Sequence, residues 1–146
     1  MKQKTYTQSP FRGQIHCPAV VTPFSAEGDV MLDAYQELVR FYVEDVRADA
    51  LLIAGDNGEG YALTDDELRK VSEAAVKVVA GRIPIYVHIT RTANSECIAR
   101  AEIAAAAGAP GIALAQPYIH DASADKMVER FQIGRASCRE RVCQYV

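Results

Sequence analysis

Hydrophobic positions along the chain fall into two alternating periods. Four short apolar runs read as strands: Ile15-His16-Cys17-Pro18-Ala19-Val20-Val21, Ala50-Leu51-Leu52-Ile53-Ala54, Ile83-Pro84-Ile85-Tyr86-Val87-His88 and Gly111-Ile112-Ala113-Leu114-Ala115. The last three are nearly continuous, as expected of parallel strands buried on both faces. Between the runs the period lengthens to that of a helix. Leu32, Tyr35, Leu38, Val39, Tyr42, Val43 and Val46 form one stripe. Thr64-Asp65-Asp66-Glu67 is a capping-box sequence, in which the Thr64 hydroxyl accepts from the Glu67 N–H and the Glu67 carboxylate reaches back. Its helix buries Leu68, Val71, Ala75, Val78 and Val79 and stops at Gly81. A third helix starts near Thr92 or Asn94 and runs through an alanine-rich stretch to Gly108. A short fourth starts near Ser123 and carries Met127, Val128 and Phe131.

The order is therefore strand–helix, repeated through four units, and parallel strands joined in this way need right-handed crossovers. Two architectures fit: an open doubly wound sheet, or part of a (βα)8 barrel. Spacing alone does not choose between them.

Composition narrows the function classes. The chain has 146 residues, 49% hydrophobic and 24% charged, with a net charge of −3. That suits one globular domain with no basic stripe, so nucleic acid and membrane are excluded as expected partners. The basic start, Met1-Lys2-Gln3-Lys4, lacks the apolar stretch of a signal peptide, and no run is long enough to cross a membrane. Cys17, Cys97, Cys138 and Cys143 form no C-x-x-C pair and have no histidine at zinc-ligand spacing. A reduced, cytoplasmic protein is expected, with Cys17 and Cys97 buried as small hydrophobes.

Residues 133–146 break the pattern. Ile133-Gly134-Arg135-Ala136-Ser137-Cys138-Arg139-Glu140-Arg141-Val142 has no strand period, and it equals the translation of one reading frame of a common sequencing adapter. We read 133–146 as an artefactual, adapter-derived tail on residues 1–132, expected to stay clear of the sheet.

The remaining motifs occur in a telling order. Val21-Thr22-Pro23-Phe24 is followed by Gly55-Asp56-Asn57-Gly58-Glu59-Gly60 and Ala62-Leu63-Thr64-Asp65-Asp66-Glu67, then Gly81-Arg82-Ile83-Pro84 and Gln116-Pro117-Tyr118. Over residues 11–132 this series resembles the dihydrodipicolinate synthase / N-acetylneuraminate lyase family of pyruvate-dependent class I aldolases. The resemblance implies a (βα)8 barrel, of which four βα units are the N-terminal half, since a barrel needs at least about 200 residues. It also implies a full-length parent that is a homotetramer and acts on pyruvate or a related 2-oxo acid and an aldehyde. The family's imine chemistry needs no cofactor or metal.

The resemblance places the site at the C-terminal ends of the strands. In the family the loop after the second strand reads Gly-Thr-Thr-Gly-Glu and holds the pyruvate carboxylate. Gly55, Asn57 and Gly58 become substrate-binding candidates, with Asn57 still a donor through its amide. Asp56 takes a proton-relay position, where an ionised carboxylate cannot donate. Glu59 is expected to brace the loop through bonds to backbone N–H groups. Tyr118 matches the first of two adjacent relay tyrosines, and the second is Ile119, through which no hydroxyl relay runs. That departure points away from the lysine-biosynthetic reaction. His88, ending the third run, and the weaker His16 and His120 are further candidates. The family's Schiff-base lysine lies on the sixth strand and its main tyrosine on the fifth. Lys2, Lys4, Lys70, Lys77 and Lys126 fall in the N-terminal arm or in helices, so the fragment itself is expected to be inactive. The alternatives are a complete doubly wound binding domain and a non-catalytic barrel paralogue.

Overall fold

A computed structural model describes residues 15–116, Asp125, Val128, Arg130, Phe131 and Gln132, and the backbone of Cys143 and Gln144. Its elements in chain order are α1 (Leu32–Glu44), β1 (Leu51–Ile53), α2 (Asp65–Val79), β2 (Ile85–His88), α3 (Asn94–Ala106), β3 (Gly111–Leu114) and β4 (Cys143–Gln144). Asp125, Val128, Arg130, Phe131 and Gln132 are also helical, where the fourth helix is expected. The strands are all parallel and lie in the order β1-β2-β3-β4.

The expected first strand shrinks to a single parallel bridge between Ala19 and Leu52. The pairing beside β1 is genuine: the Val20 N–H donates to the Leu52 carbonyl (2.9 Å), and the Pro18 carbonyl accepts from Leu52 (3.1 Å). Pro18 has no N–H to return, so the ladder does not close. The space order still follows the sequence order, with this segment at one edge.

All three helices lie on one side of the sheet. Helix α1 packs on α2, and α2 on α3. The strand residues that face them, Leu51, Ile53, Ile85, Val87, Ile89, Ile112 and Leu114, join Tyr35, Val39, Leu68, Val71, Ala75, Cys97 and Ala101 in one core. Burial alternates along β1 and β2, so Leu52, Tyr86 and His88 turn to the opposite face and are only half-buried. Register aligns Leu52 with Tyr86 and Tyr86 with Gly111 across that face. Sequential parallel strands with helices on one side form half of a (βα)8 barrel, its interior face open. A doubly wound sheet, with helices on both faces, is ruled out.

Local chemistry explains the helix boundaries. The capping box forms: the Thr64 N–H donates to Glu67 Oε2 at 2.8 Å, and the Glu67 N–H to Thr64 Oγ1 at 3.3 Å. At the other end Ala80 is already left-handed (φ 49°), one residue before Gly81 (φ 71°), so the stop is shared. Helix α1 ends at Glu44, which leaves Val46 beyond the helical stripe. Cys97 is buried as expected, whereas Cys17 is only half-buried, because its segment lies at the sheet edge.

The tail departs from expectation. Cys143 and Gln144 pair in parallel with Ala113 and Leu114, so residues 133–146 do not stay clear of the sheet. The free edge of β3 offers a row of N–H and C=O groups that any extended segment satisfies, whatever its side chains. The foreign origin of the tail therefore keeps no support from its placement and rests on its ten-residue match alone.

Candidate functional site

The loop from β1 to α2 is built around backbone that only particular residues tolerate. Ala54 leaves β1 in the left-handed region (φ 54°), and Glu59 repeats it (φ 51°), an uncommon conformation for residues with a side chain. Within the turn, the Gly58 and Gly60 N–H groups both donate to the Gly55 carbonyl at 3.0 Å, and the Glu59 N–H donates to the Asp56 carbonyl at 3.0 Å. A β-carbon on Gly60 would lie 1.8 Å from the Ala54 oxygen, and one on Gly58 2.6 Å from the Val20 oxygen. No other residue fits either place without moving main chain.

Two motifs far apart in sequence meet here. The buried Thr22 hydroxyl donates to the Gly58 carbonyl at 2.7 Å, so the Thr22-Pro23 turn props the Gly-rich loop from beneath. Glu59 also braces the loop, but with its own main chain. Its carbonyl accepts from Ala62 (2.8 Å) and Leu63 (3.3 Å), and its side chain is exposed.

Three arginines, passed over in the sequence, hold the loops together from the helix side. Arg100, in the middle of α3, is 1% exposed. Its Nη1 donates to the Gly60 carbonyl at 2.8 Å, its Nη2 to the Leu63 carbonyl and its Nε to Asp65 Oδ1 at 3.1 Å. Burial, then the neighbouring Arg91, depresses its pKa, but an arginine starting so high stays charged. Arg91 donates to the Tyr61 carbonyl and to that of Leu63 (2.7 Å). Arg130 ties the next loop down, through the Ala115 carbonyl (3.2 Å), Asn94 Oδ1 (3.0 Å) and the Arg91 carbonyl. The signal for Arg100 was present: with Cys97, Ala101 and Ala104 it occupies the buried stripe of α3. An open cleft of about 590 Å3 lies beside Arg91 and Arg100 at the starts of α2 and α3, outside the sheet. Its guanidiniums are already bonded to carbonyls, which leaves it little to offer a ligand.

On the open face, His88 ends β2 half-buried. Its Nε2 lies 2.9 Å from Thr90 Oγ1, which in turn accepts from the Ala115 N–H at 2.8 Å. Burial holds its pKa below the usual imidazole value, and the Asp56 charge and the Ala54 main chain only partly oppose this.

Of the residues singled out from sequence, Gly55, Asp56, Asn57 and Gly58 come together on this one loop, with Asp56 and Asn57 exposed and both glycines buried. The Gly58 N–H is used within the turn, whereas Asn57 takes no part in the loop's internal bonds. Tyr118, Ile119 and His120 lie outside the described residues, and the His16 N–H bonds Asp49 Oδ2 (2.8 Å) at the far end of β1. Lys70 and Lys77 are on α2, outside the sheet, and Lys70 pairs with Asp66 at 2.6 Å. Among the described residues no group of histidine, cysteine or carboxylate side chains could hold a metal ion, and no helix is long and apolar enough to cross a membrane.

Comparison with known proteins agrees with this geometry. The model of the dihydrodipicolinate synthetase family matches residues 11–134. The chain is 34% identical over 113 residues to a 4-hydroxy-tetrahydrodipicolinate synthase of Salinibacter ruber, covering 77% of this chain and 36% of that protein. It is 35% identical over 122 residues to the enzyme of that name from Aquifex aeolicus, covering 84% and 40%. Among solved structures, dihydrodipicolinate synthase from Aquifex aeolicus superposes with a TM-score of 0.83 at 32% identity, over 90% of this chain and 44% of that one. An N-acetylneuraminate lyase from Mycoplasma synoviae shares the fold, with a TM-score of 0.82 at 23% identity. The chain thus spans less than half the length of these relatives.

Proposed function

The chain belongs to the dihydrodipicolinate synthetase family, and from that premise we propose that it is the N-terminal half of a lyase that forms a Schiff base with pyruvate or a related 2-oxo acid. The reaction makes or breaks a carbon–carbon bond with an aldehyde partner. The observation that carries this reading is the loop over residues 55–60, braced at the C-terminal end of β1 by Thr22 and Arg100. That is the end of a (βα)8 barrel at which chemistry occurs.

In the proposed site the Asn57 amide and main chain donate to the substrate carboxylate, while Gly55 and Gly58 give the loop its shape. A lysine from the other half of the barrel attacks the 2-oxo carbon, and the protonated imine then serves as electron sink. Asp56 and Tyr118 stand at the proton-relay positions. A carboxylate at 56 and an apolar Ile119 favour a 2-oxo acid reaction other than the one after which the relatives are named. The same two residues support a second reading, a barrel paralogue without catalysis. The full-length protein is proposed to be a cytoplasmic homotetramer, and the 146-residue chain to be inactive. Residues 133–146 are proposed to be foreign on their ten-residue adapter match.

Titration of the 15N-labelled chain with pyruvate tests the cradle. Without the covalent bond, affinity on the order of 1 mM is expected. The Asn57 signals should shift, and Asn57→Ala should abolish saturable binding. Unchanged Asn57 signals at tens of millimolar would reject the assignment.

A further inference from the structure

We infer that Thr90 is the positioning residue for the exit of β3, its hydroxyl aimed by a neutral His88 ring that carries its proton on Nδ1. The ladder between β2 and β3 ends where the Ile89 N–H donates to the Ala113 carbonyl at 2.9 Å. One further parallel rung would carry the Ala115 N–H to the Ile89 carbonyl. The Thr90 hydroxyl takes that N–H instead, at 2.8 Å, so a side chain stands in for main chain at the point where β3 leaves the sheet. Arg130 holds the other polar group of the same residue. Its Nε donates to the Ala115 carbonyl at 3.2 Å, and its Nη2 donates to the Arg91 carbonyl, just past Thr90. Thr90 is 5% exposed and Arg130 3%, so water competes poorly for either bond.

The Thr90 hydroxyl has one hydrogen to place. Its oxygen already accepts from Ala115, and among the described residues the acceptor within reach is His88 Nε2, at 2.9 Å. A buried hydroxyl hydrogen is costly to leave unpaired, so it points at a bare Nε2, and the ring proton is on Nδ1. That bond fixes the hydroxyl rotor and turns a lone pair toward the Ala115 N–H. The other tautomer, or a cationic ring, would set two N–H donors against one oxygen and strand the hydroxyl hydrogen. Burial favours the neutral ring. Of the charges that act on it, Asp56 from the loop after β1 opposes this and Arg100 from α3 adds to it.

Gln116-Pro117-Tyr118 follow directly on Ala115. Thr90 therefore sets where the chain leading to the proposed relay position departs from the sheet. Its value to catalysis rests on the function proposed above. The positioning of Ala115 does not, and it is measured without ligand, so either reading can fail alone.

The test uses the 146-residue chain. Long-range 1H–15N correlation of the His88 ring is expected to show a bare Nε2 and a proton on Nδ1 near neutral pH. Amide hydrogen exchange at Ala115 is then compared among the unaltered chain, Thr90→Val and Thr90→Ser. Valine keeps the shape and loses the hydroxyl, whereas serine keeps the hydroxyl. Thr90→Val is expected to speed exchange at Ala115 about ten-fold, with α1 and α2 unchanged, and Thr90→Ser to keep most of the protection. A proton on Nε2, or a cationic ring, overturns the inference even if a variant fails to fold. So does unchanged exchange at Ala115 in Thr90→Val, or a serine variant no better protected than valine.

Discussion

Arg100 donates to the Gly60 carbonyl at 2.8 Å from 40 residues further along the chain, and it does so from inside the apolar stripe of α3. A charge that deep is tolerated because Gly60, Leu63 and Asp65 take up its donors. Removing it leaves the buried Gly60 carbonyl without its partner, while the Leu63 carbonyl keeps Arg91. Arg100→Met should therefore destabilise the chain by about 2–4 kcal/mol in urea, well beyond a surface change. Arg69→Met, which breaks only exposed pairs with Asp66 and Glu73, should leave the urea midpoint nearly unchanged.

The capping box gives a smaller effect with a pH signature. Thr64→Ala should cost about 1 kcal/mol. The bonds from Thr64 hold the Glu67 carboxylate below its usual pKa. Its contribution is present above the ordinary carboxylate pKa and is lost as pH falls through the depressed value. Thermal melts from pH 7 to pH 3 should show the two proteins converging in acid.

Most of the fold was legible in the sequence, and the losses have identifiable causes. The Thr64–Glu67 box, the stripe of α2 and the runs that became β1, β2 and β3 are local signals, set by residues within a few positions. The first strand failed at Pro18, where one absent N–H keeps a paired segment from becoming a ladder. In the candidate site, Gly58 and Gly60 were visible as turn residues, but the reason they must be glycine is the distant Val20 and Ala54 carbonyls. The burial of Arg100 could be read from its place in the apolar stripe of α3, but the bracing by Arg91, Arg100 and Arg130 could not, because most of their partners are main-chain carbonyls of other loops, which leave no trace in side-chain pattern. The tail misled in the opposite way: its side chains carry no strand period, and the edge of β3 asks for none.

Tyr35 presents a test in the stabilising direction. Its hydroxyl is fully buried between helices and has no hydrogen-bond partner among the described residues. Burial pushes its pKa far above the usual phenol value. Tyr35→Phe removes an unsatisfied polar atom and keeps the ring, so it should be neutral or stabilising by up to about 1–2 kcal/mol. A loss of more than about 1 kcal/mol, one hydrogen bond's worth, would reveal a partner for the hydroxyl.

His88 sets the behaviour between neutral and mildly acid pH. Its pKa lies below the usual value in the folded chain, so the unfolded chain binds the proton first. Its contribution is complete above the ordinary imidazole pKa and is lost as pH falls through the depressed one. The urea midpoint of the unaltered chain should drop from pH 7.5 to pH 5.5 by more than that of His88→Asn.

The origin of residues 133–146 is open to direct reading. Sequencing the source DNA with unrelated adapters should replace Ile133 onward with a different continuation. The same residues read again would make the tail native.

A half-barrel without the other half's lysine has nowhere to form the imine. Borohydride reduction in the presence of pyruvate, followed by intact mass, decides it. Lys70 and Lys77 stand on α2 outside the sheet, and a solvated ammonium is a poor nucleophile at neutral pH. The expected result is no adduct on the 146-residue chain and one reduced pyruvate on the product of the complete reading frame. One reduced pyruvate on the 146-residue chain, or none on the complete product, would contradict the account.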